Sequence, residues 1–304
     1  MKSKILIARS YGQADVLEIA ETELPPLGAG MARIQVKAAG INPIDARRMT
    51  GEFKHAEMPQ AFGTEYAGVI IDIDGQQTQW KVGDEVLGSG GGFTHASVID
   101  VPVSFLVAKP KNLDWATAGT LAGVAQTAMT ILDEMGPVQS LLIHGASGGV
   151  GSITIQLAKE KGIDVVATAS AKNQDYLKQL GATPIVYGEG LIERLKEVHP
   201  APFDASIDLV GNDDATQASL ATVKANGFMG STAGKKLTSA KIQAVWVKKK
   251  PSNLKYVVDR VADGRFSWVV SREYPFSEAA KAYDDILNGH TRGKSVLVFD
   301  EKPQ

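Results

Sequence analysis

Cysteine is absent from this 304-residue chain. Its absence excludes disulfides, thiol nucleophiles, iron–sulfur clusters and thiolate zinc sites. The five histidines, at positions 55, 95, 144, 199 and 290, show no metal-ligand spacing, so no metal is expected. A surplus of one charge is also missing: 32 Lys and Arg face 34 Asp and Glu. Neither nucleic acid nor an anionic membrane is therefore an expected partner. Long apolar runs are scarce. Residues 5–8 are apolar, but Arg9 ends that run before it reaches the length of a signal peptide. One uncharged stretch of 18 residues, 115–132, contains Gly119-x-x-x-Gly123. Thr117, Thr120, Gln126, Thr127 and Thr130 make it too polar for a membrane span, and the expectation is a buried interdomain helix. A cytoplasmic location follows by default.

What is present is an ordinary globular balance, 44% hydrophobic and 22% charged. At about 150 residues per domain the length suggests two domains or one large one. The front of the chain reads as β-rich. Residues 4–8 form a short strand. Ala32, Ile34, Val36 and Ala38 alternate with Arg33, Gln35 and Lys37, the period of a half-buried strand. Residues 66–74 and 93–100 are further candidates, punctuated by turns at Pro25-Pro26, Asp74-Gly75 and Gly83-Asp84. After Lys109-Pro110 the pattern changes. Strand-like segments at 141–144, 165–168 and 205–210 alternate with helix-like segments at 149–160, 172–180 and 214–223. Such alternation implies right-handed βαβ crossovers and a parallel sheet covered on both faces. A last helix (277–288) and strand (295–300) have no affiliation readable from periodicity.

The strongest motif is LLIHGASGGVG, residues 141–151, lying between an apolar strand and an amphipathic helix. In a dinucleotide fold Gly148 lets the backbone approach a pyrophosphate and Gly151 lets the helix pack on the sheet. The phosphates then meet unpaired N–H groups at the helix start, where the dipole favours an anion. Ala146 stands at the first position of G-x-G-x-x-G, so the fingerprint is a variant. The same letters also spell G-x-S-x-G, the hydrolase nucleophile elbow, with Asp208 and His290 following in order. The β-rich front and the lack of an oxyanion segment weigh against it. Gly145, Gly149 and Gly151 match a short-chain dehydrogenase pattern as well, but no tyrosine has a lysine four residues later. A tight turn without a ligand is the remaining alternative.

The end of the second strand discriminates between cofactors. NAD sites place an acid there to bind the ribose 2′-hydroxyl. Residues 166–173 read VATASAKN, with no acid before Asp175. Ser170 and Lys172 suit a 2′-phosphate, so NADPH is favoured over NADH.

The chain resembles the zinc-free, zeta-crystallin-like quinone oxidoreductases of the medium-chain dehydrogenase/reductase superfamily. The resemblance lies in AAGINPID (38–45), GTEYAGVI (63–70), KVGDEVLG (81–88), HGASGGVG (144–151), ATASAKN (167–173), IDLVGN (207–212) and GHTRGKSVLVF (289–299). It implies a GroES-like β-barrel catalytic domain, residues 1–115 and 265–304, interrupted by a Rossmann domain with a doubly wound parallel sheet, residues 116–264. It places the cofactor in the interdomain cleft. Asn42 is implied beside the nicotinamide as a positioning group, with Thr127 reaching the nicotinamide or its ribose. Ser147, Gly148, Gly149 and Val150 are implied to hold the pyrophosphate, within a turn completed by Ala146 and Gly151. Ser170, Lys172 and Tyr187 fall on the adenine-side ribose or its phosphate. Val210 and Gly211 line the crevice, and Lys294 lies near the pyrophosphate. Ile44, Thr64, Tyr66 and Phe93 are the implied substrate neighbours. Zinc-dependent relatives carry Cys and His where this chain has Asn42 and Thr64.

A metal-free site narrows the chemistry. Hydride transfer to an isolated ketone builds charge on oxygen that needs a metal, an oxyanion hole or a proton donor. A quinone or an α,β-unsaturated carbonyl spreads that charge by conjugation, leaving mainly positioning to the protein. The expected activity is NADPH-dependent quinone reduction. The alternatives are an NADPH-dependent enone or alkenal double-bond reductase and an NADPH-binding redox sensor with little catalysis. A homodimer is expected, joined through a strand at 242–247, although Lys248, Lys249, Lys250 and Pro251 beside it also suit a protected edge.

Overall fold

The computed structural model describes residues 1–54, 56–74, 79–289 and 291–299. His55, Gly75, His290 and Asp300 lie outside them. Along the chain the strands are β1 (Lys2–Ala8), β2 (Leu17–Glu23), β3 (Met31–Ile41), β4 (Gln60–Ala61), β5 (Glu65–Ile73), β6 (Glu85–Ser89), β7 (Val98–Pro102) and β8 (Val107–Ala108). They continue as β9 (Ser140–His144), β10 (Asp164–Ala169), β11 (Thr183–Val186), β12 (Phe203–Asp208), β13 (Val223–Ser231), β14 (Gln243–Ala244), β15 (Val270–Pro275) and β16 (Lys294–Val298). The helices are α1 (Pro43–Thr50), α2 (Trp115–Ala118), α3 (Ala122–Met135), α4 (Gly149–Glu160), α5 (Gln174–Gln179), α6 (Leu191–Val198), α7 (Asp213–Thr222), α8 (Pro251–Ala262) and α9 (Ala279–Leu287).

Two compact units result. One comprises Met1–Gly123, Lys249–Arg265 and Val269–Gln304. It contains a seven-stranded sheet, ordered β15-β16-β3-β5-β6-β8 with β7 also on β3, and a three-stranded sheet β2-β1-β4. Its core gathers Leu6, Ile34, Ile41, Met49, Phe62, Tyr66, Ile70, Tyr283 and Leu297. The final helix and strand, unassigned by periodicity, belong here: β16 pairs antiparallel with β3 through Ser295–Ile41 and Leu297–Ala39. Arg33, on the polar side of the alternation in β3, is buried, because β7 lies alongside and its Asp100 accepts from Arg33 Nε and Nη2 at 2.8 Å.

The second unit, Val124–Lys248 with Phe266–Trp268, holds a six-stranded sheet ordered β11-β10-β9-β12-β13-β14, every pairing parallel. Strand β9 is buried at all five positions, the apolar run expected of a strand covered on both faces. Helix α4 is buried along most of its length through Ile153, Ile155, Leu157 and Ala158.

Three expectations are corrected. Residues 115–132 are not one helix but α2 and α3, broken at Gly119. The Gly119 carbonyl accepts from Gly40 N, and a Cβ there would lie 2.7 Å from Ala38 O. Close passage over β3 interrupts the helix. The strand expected at 242–247 shrinks to two residues, and the one expected at 93–100 begins only at Val98. Among the described residues no helix is long and apolar enough to cross a membrane.

Candidate active site

In the parallel-sheet unit the chain leaves β9 through Gly145, whose φ of +72° is a left-handed conformation suited to glycine. The buried Ala146 N–H donates to Thr168 O, tying the turn to β10. Gly148 caps α4 and offers no side chain to its first N–H groups. A Cβ at Gly151 would lie 2.5 Å from Ala146 O, so only glycine permits this approach of helix to turn. Gly148 is the opposite case: its Cβ would meet no atom nearer than Gly145 O at 3.9 Å. Open space thus stands above a helix start whose N–H groups lack side-chain acceptors, and this fits a pyrophosphate. The order β10-β9-β12 reverses the winding at β9, where doubly wound sheets bind their ligands.

The neighbouring hydroxyls are organised by Asn173, a residue the motif reading missed. Its Nδ2 donates to Ser147 Oγ and to Ser170 Oγ, each at 3.2 Å. Lys172, beside it in sequence, is exposed. Tyr187 is 49% exposed and follows β11, its N–H donating to Ala169 O. Asp208 accepts from both Val210 N and Gly211 N at 2.8 and 2.9 Å, which fixes the turn after β12. That carboxylate serves the backbone, and Ser147 is bonded to an amide, an arrangement foreign to a serine nucleophile. Thr127 lies half-buried on α3.

His144, ending β9, is buried with Nε2 3.2 Å from Ser219 Oγ. Burial pushes its pKa down to about 4, from an ordinary value near 6.5. The folded ring stays neutral where the unfolded one takes up a proton. Its contribution to stability is therefore complete above about pH 6.5 and is lost as pH falls from there toward 4. The slope is ~1.4 kcal/mol per pH unit and the total about 3 kcal/mol. His144→Gln is expected to flatten this part of the acid-stability curve, read as urea midpoints at pH 7.5 and 5. An unchanged pH dependence would contradict it.

In the other unit, α1 starts at Asn42. Pro43 stands at its first position and the Asp45 carboxylate accepts from Asn42 N at 3.0 Å. The Asn42 amide is engaged on every side. Nδ2 donates to Thr64 Oγ1 at 3.1 Å and Glu65 Oε1 at 2.8 Å. Oδ1 accepts from Lys294 Nζ at 2.7 Å. Lys294 Nζ also donates to Ile41 O at 2.8 Å and pairs with Glu65 Oε1 at 2.7 Å. The Lys294 and Glu65 side chains are only 5% and 0% exposed. The second oxygen of Glu65 accepts from Gly123 N at 2.7 Å. Glu65 stands within GTEYAGVI, but its partner Lys294 is too distant in the chain for spacing to show.

Asn42, Thr64 and Lys294 are thus brought together. The three N–H groups of Lys294 have three protein acceptors, and the side chain points inward. Ile44 and Phe93 are half-buried. Tyr66 lies in the hydrophobic core, fully buried, its hydroxyl without a hydrogen-bond partner and its pKa raised by burial. His95 is also buried: Nε2 faces Gly40 O, so it carries the proton, and Nδ1 accepts from Tyr283 Oη at 2.9 Å. Burial lowers its pKa. Arg48 is held beneath Gly92 O, Gln60 and Ala61 O. Among the described residues no group of three His, Asp or Glu is placed to hold a metal.

The alcohol dehydrogenase GroES-like domain matches residues 28–131, and the zinc-binding dehydrogenase domain matches residues 149–262. The 2-methylene-furan-3-one reductase of Solanum lycopersicum is 32% identical, covering 94% of this chain and 76% of that protein. The chloroplastic NADPH-dependent alkenal/one oxidoreductase of Arabidopsis thaliana is 30% identical, covering 97% of this chain and 79% of that one. Among solved structures, the quinone oxidoreductase from Coxiella burnetii superposes with a TM-score of 0.87 at 28% identity, covering 98% and 99% of the two chains.

Proposed function

Because this chain belongs to the zinc-free quinone oxidoreductase family of the medium-chain dehydrogenase/reductase superfamily, we propose that it reduces quinones and related conjugated carbonyls with NADPH, unaided by a metal. The observation that carries this reading is the open helix start at Gly148 beside Ser147, Ser170 and Lys172. NADPH, when bound, supplies the hydride. Residues 147–150 hold its pyrophosphate on backbone N–H groups. Ser170 and Lys172 receive the 2′-phosphate, where an Asp would repel it. Tyr187 flanks the adenine-side ribose or its phosphate, and Val210 and Gly211 line the adenosine or nicotinamide crevice. Asn42 acts as a rigid wall for the nicotinamide, since both N–H groups of its amide already have acceptors. Positioning in a near-attack geometry can supply up to about 7–11 kcal/mol without a charged catalyst. Asn42 and Thr64 lack the thiolate and imidazole of a zinc site, and Lys294 neutralises the adjoining Glu65.

A second reading, reduction of an enone or alkenal carbon–carbon double bond, is favoured by the two plant relatives above, both named for such activities. The test is NADPH and NADH oxidation with 1,4-benzoquinone, methyl vinyl ketone and trans-2-hexenal. Quinone turnover with NADPH well above NADH supports the first reading, and turnover of the enones alone supports the second. NADPH binding with no turnover of any acceptor would leave only the sensor reading.

We also propose a cytoplasmic homodimer. Strand β14 is the sheet edge, and Trp246 and Val247 just beyond it are 61% and 43% exposed. A sedimentation mass of one chain, 32.3 kDa, would contradict the dimer, and a fluorescent fusion found in an organelle would contradict the location.

A further inference from the structure

Asn173 immediately precedes α5, where an asparagine side chain ordinarily caps the first N–H groups of a helix. Here it makes no capping bond. Ser170 begins the single helical turn at residues 171–173 and its side chain caps nothing either. The Asn173 side chain turns back instead. The residue is 4% exposed, and its Nδ2 donates to the half-buried hydroxyls of Ser147 and Ser170, each at 3.2 Å. Ser147 lies in the turn after β9 and Ser170 directly after β10, two neighbouring parallel strands. One buried nitrogen therefore ties two strand ends together at the carboxyl edge of the sheet, where doubly wound folds bind their ligands.

The direction of these two bonds decides what the hydroxyls offer. A serine oxygen has one proton to give and lone pairs with which to accept. Asn173 occupies the accepting side of both serines, and among the described residues neither serine proton has an acceptor. The two oxygens lie no farther apart than twice their distance to the shared nitrogen, so one group rich in acceptors can take both protons. The backbone beneath them is fixed. Gln174 Nε2 donates to Ala169 O and Ser170 O, each at 3.1 Å, and Asn173 N donates to Ser170 O at 3.0 Å. Only the hydroxyl rotors remain to adjust. Lys172 adds a positive charge next in sequence to Asn173. Two preset donors beside a cation suit a phosphate, which only accepts.

We propose that Asn173 is the positioning residue behind the choice of NADPH over NADH: it holds the Ser147 and Ser170 hydroxyls as a pair of donors to the 2′-phosphate. The inference rests on the NADPH reading above, in which the backbone of residues 147–150 takes the pyrophosphate and leaves the Ser147 side chain available. Asn173 itself touches no part of the cofactor; it acts through the two serines. A phosphate dianion gains two charge-assisted bonds from donors already aimed at it. The uncharged 2′-hydroxyl of NADH gains much less from the same pair.

Asn173→Asp tests this, because it keeps the shape and reverses the polarity. A carboxylate accepts from both serines, draws their protons inward and sets a negative charge beneath the phosphate. The expected result is an NADPH Kd about 100-fold higher and an NADH Kd raised by less than about threefold, read by nucleotide-fluorescence titration. Damage to the fold alone would weaken both nucleotides alike. Asn173→Ala removes the amide without adding charge. It is expected to raise the NADPH Kd about 10-fold in the wild-type background, but less than about twofold where Ser147→Ala and Ser170→Ala are already present. This second comparison decides the matter if Asn173→Asp does not fold. The same loss in both backgrounds overturns the inference, since Asn173 would then not act through the serines. Wild-type NADPH affinity in Asn173→Asp overturns it as well, and either result leaves the reductase reading standing as long as the wild type prefers NADPH. A wild type that binds NADPH no more tightly than NADH removes the 2′-phosphate from this site and the inference with it.

Discussion

Gly148→Val is expected to fold as the wild type does and to lose NADPH. The backbone at Gly148 has φ −78° and ψ 176°, extended values that any residue adopts, so valine brings no conformational strain. Its Cβ meets no protein atom within 3.9 Å. Stability is therefore expected to change by no more than about 0.5 kcal/mol. The valine methyls nevertheless occupy the space through which a pyrophosphate reaches the N–H groups of α4. Loss of that approach is expected to weaken NADPH binding by at least 100-fold, or roughly 2.7 kcal/mol. Gly151→Val provides the contrast. Its Cβ would sit 2.5 Å from Ala146 O and 2.6 Å from Ala146 Cα, both backbone atoms, so the variant is expected to be unstable before binding is in question. A thermal melt and a nucleotide-fluorescence titration on both variants separate the two glycines. Wild-type NADPH affinity in Gly148→Val would remove the pyrophosphate from this turn.

What the sequence made legible follows from where the determining contacts lie. Strand β9, the glycine turn and α4 were readable because their causes are local: an apolar run, glycines at a tight turn, then apolar residues on a helical period. The winding of the parallel sheet followed from the strand–helix alternation. The break between α2 and α3 was not readable. It depends on Gly119 lying against Ala38 and Gly40 of β3, far away in the chain. The short β14 has a similar cause, since its few pairings with β13 are set by the sheet edge and not by the apolar run that suggested a longer strand. In the candidate site, position after a strand pointed to Ser170. Asn173, which links that serine to Ser147, sits only three residues on but carries no motif of its own. Resemblance placed Lys294 near the pyrophosphate. The structure shows the ammonium directed at Ile41 O, Asn42 and Glu65, three acceptors that periodicity does not connect.

That inward ammonium leads to the other large effect, in Lys294→Met. The lysine and Glu65 form a nearly solvent-free ion pair at 2.7 Å. Breaking such a pair by removing one partner leaves a buried charge uncompensated and costs about 3–5 kcal/mol. Here the remaining charge would be the Glu65 carboxylate, fully buried, accepting from Asn42 Nδ2 and Gly123 N. Ile41 O and Asn42 Oδ1 would lose their donor as well. The Asn42 amide is oriented by Lys294 on its oxygen and Glu65 on its nitrogen, so the damage should reach turnover and not stability alone. Lys294→Met is expected to lower the urea midpoint sharply and to reduce kcat more than it weakens NADPH binding. Adding Glu65→Gln removes the stranded charge, and the double variant is expected to recover part of the stability while kcat stays low. This sign pattern separates an electrostatic pair from simple packing, for which a second core substitution would add its own cost. If Lys294→Met unfolds at the wild-type urea concentration, the ammonium contributes nothing to this core, and Asn42 must be held by Thr64 and Glu65 alone.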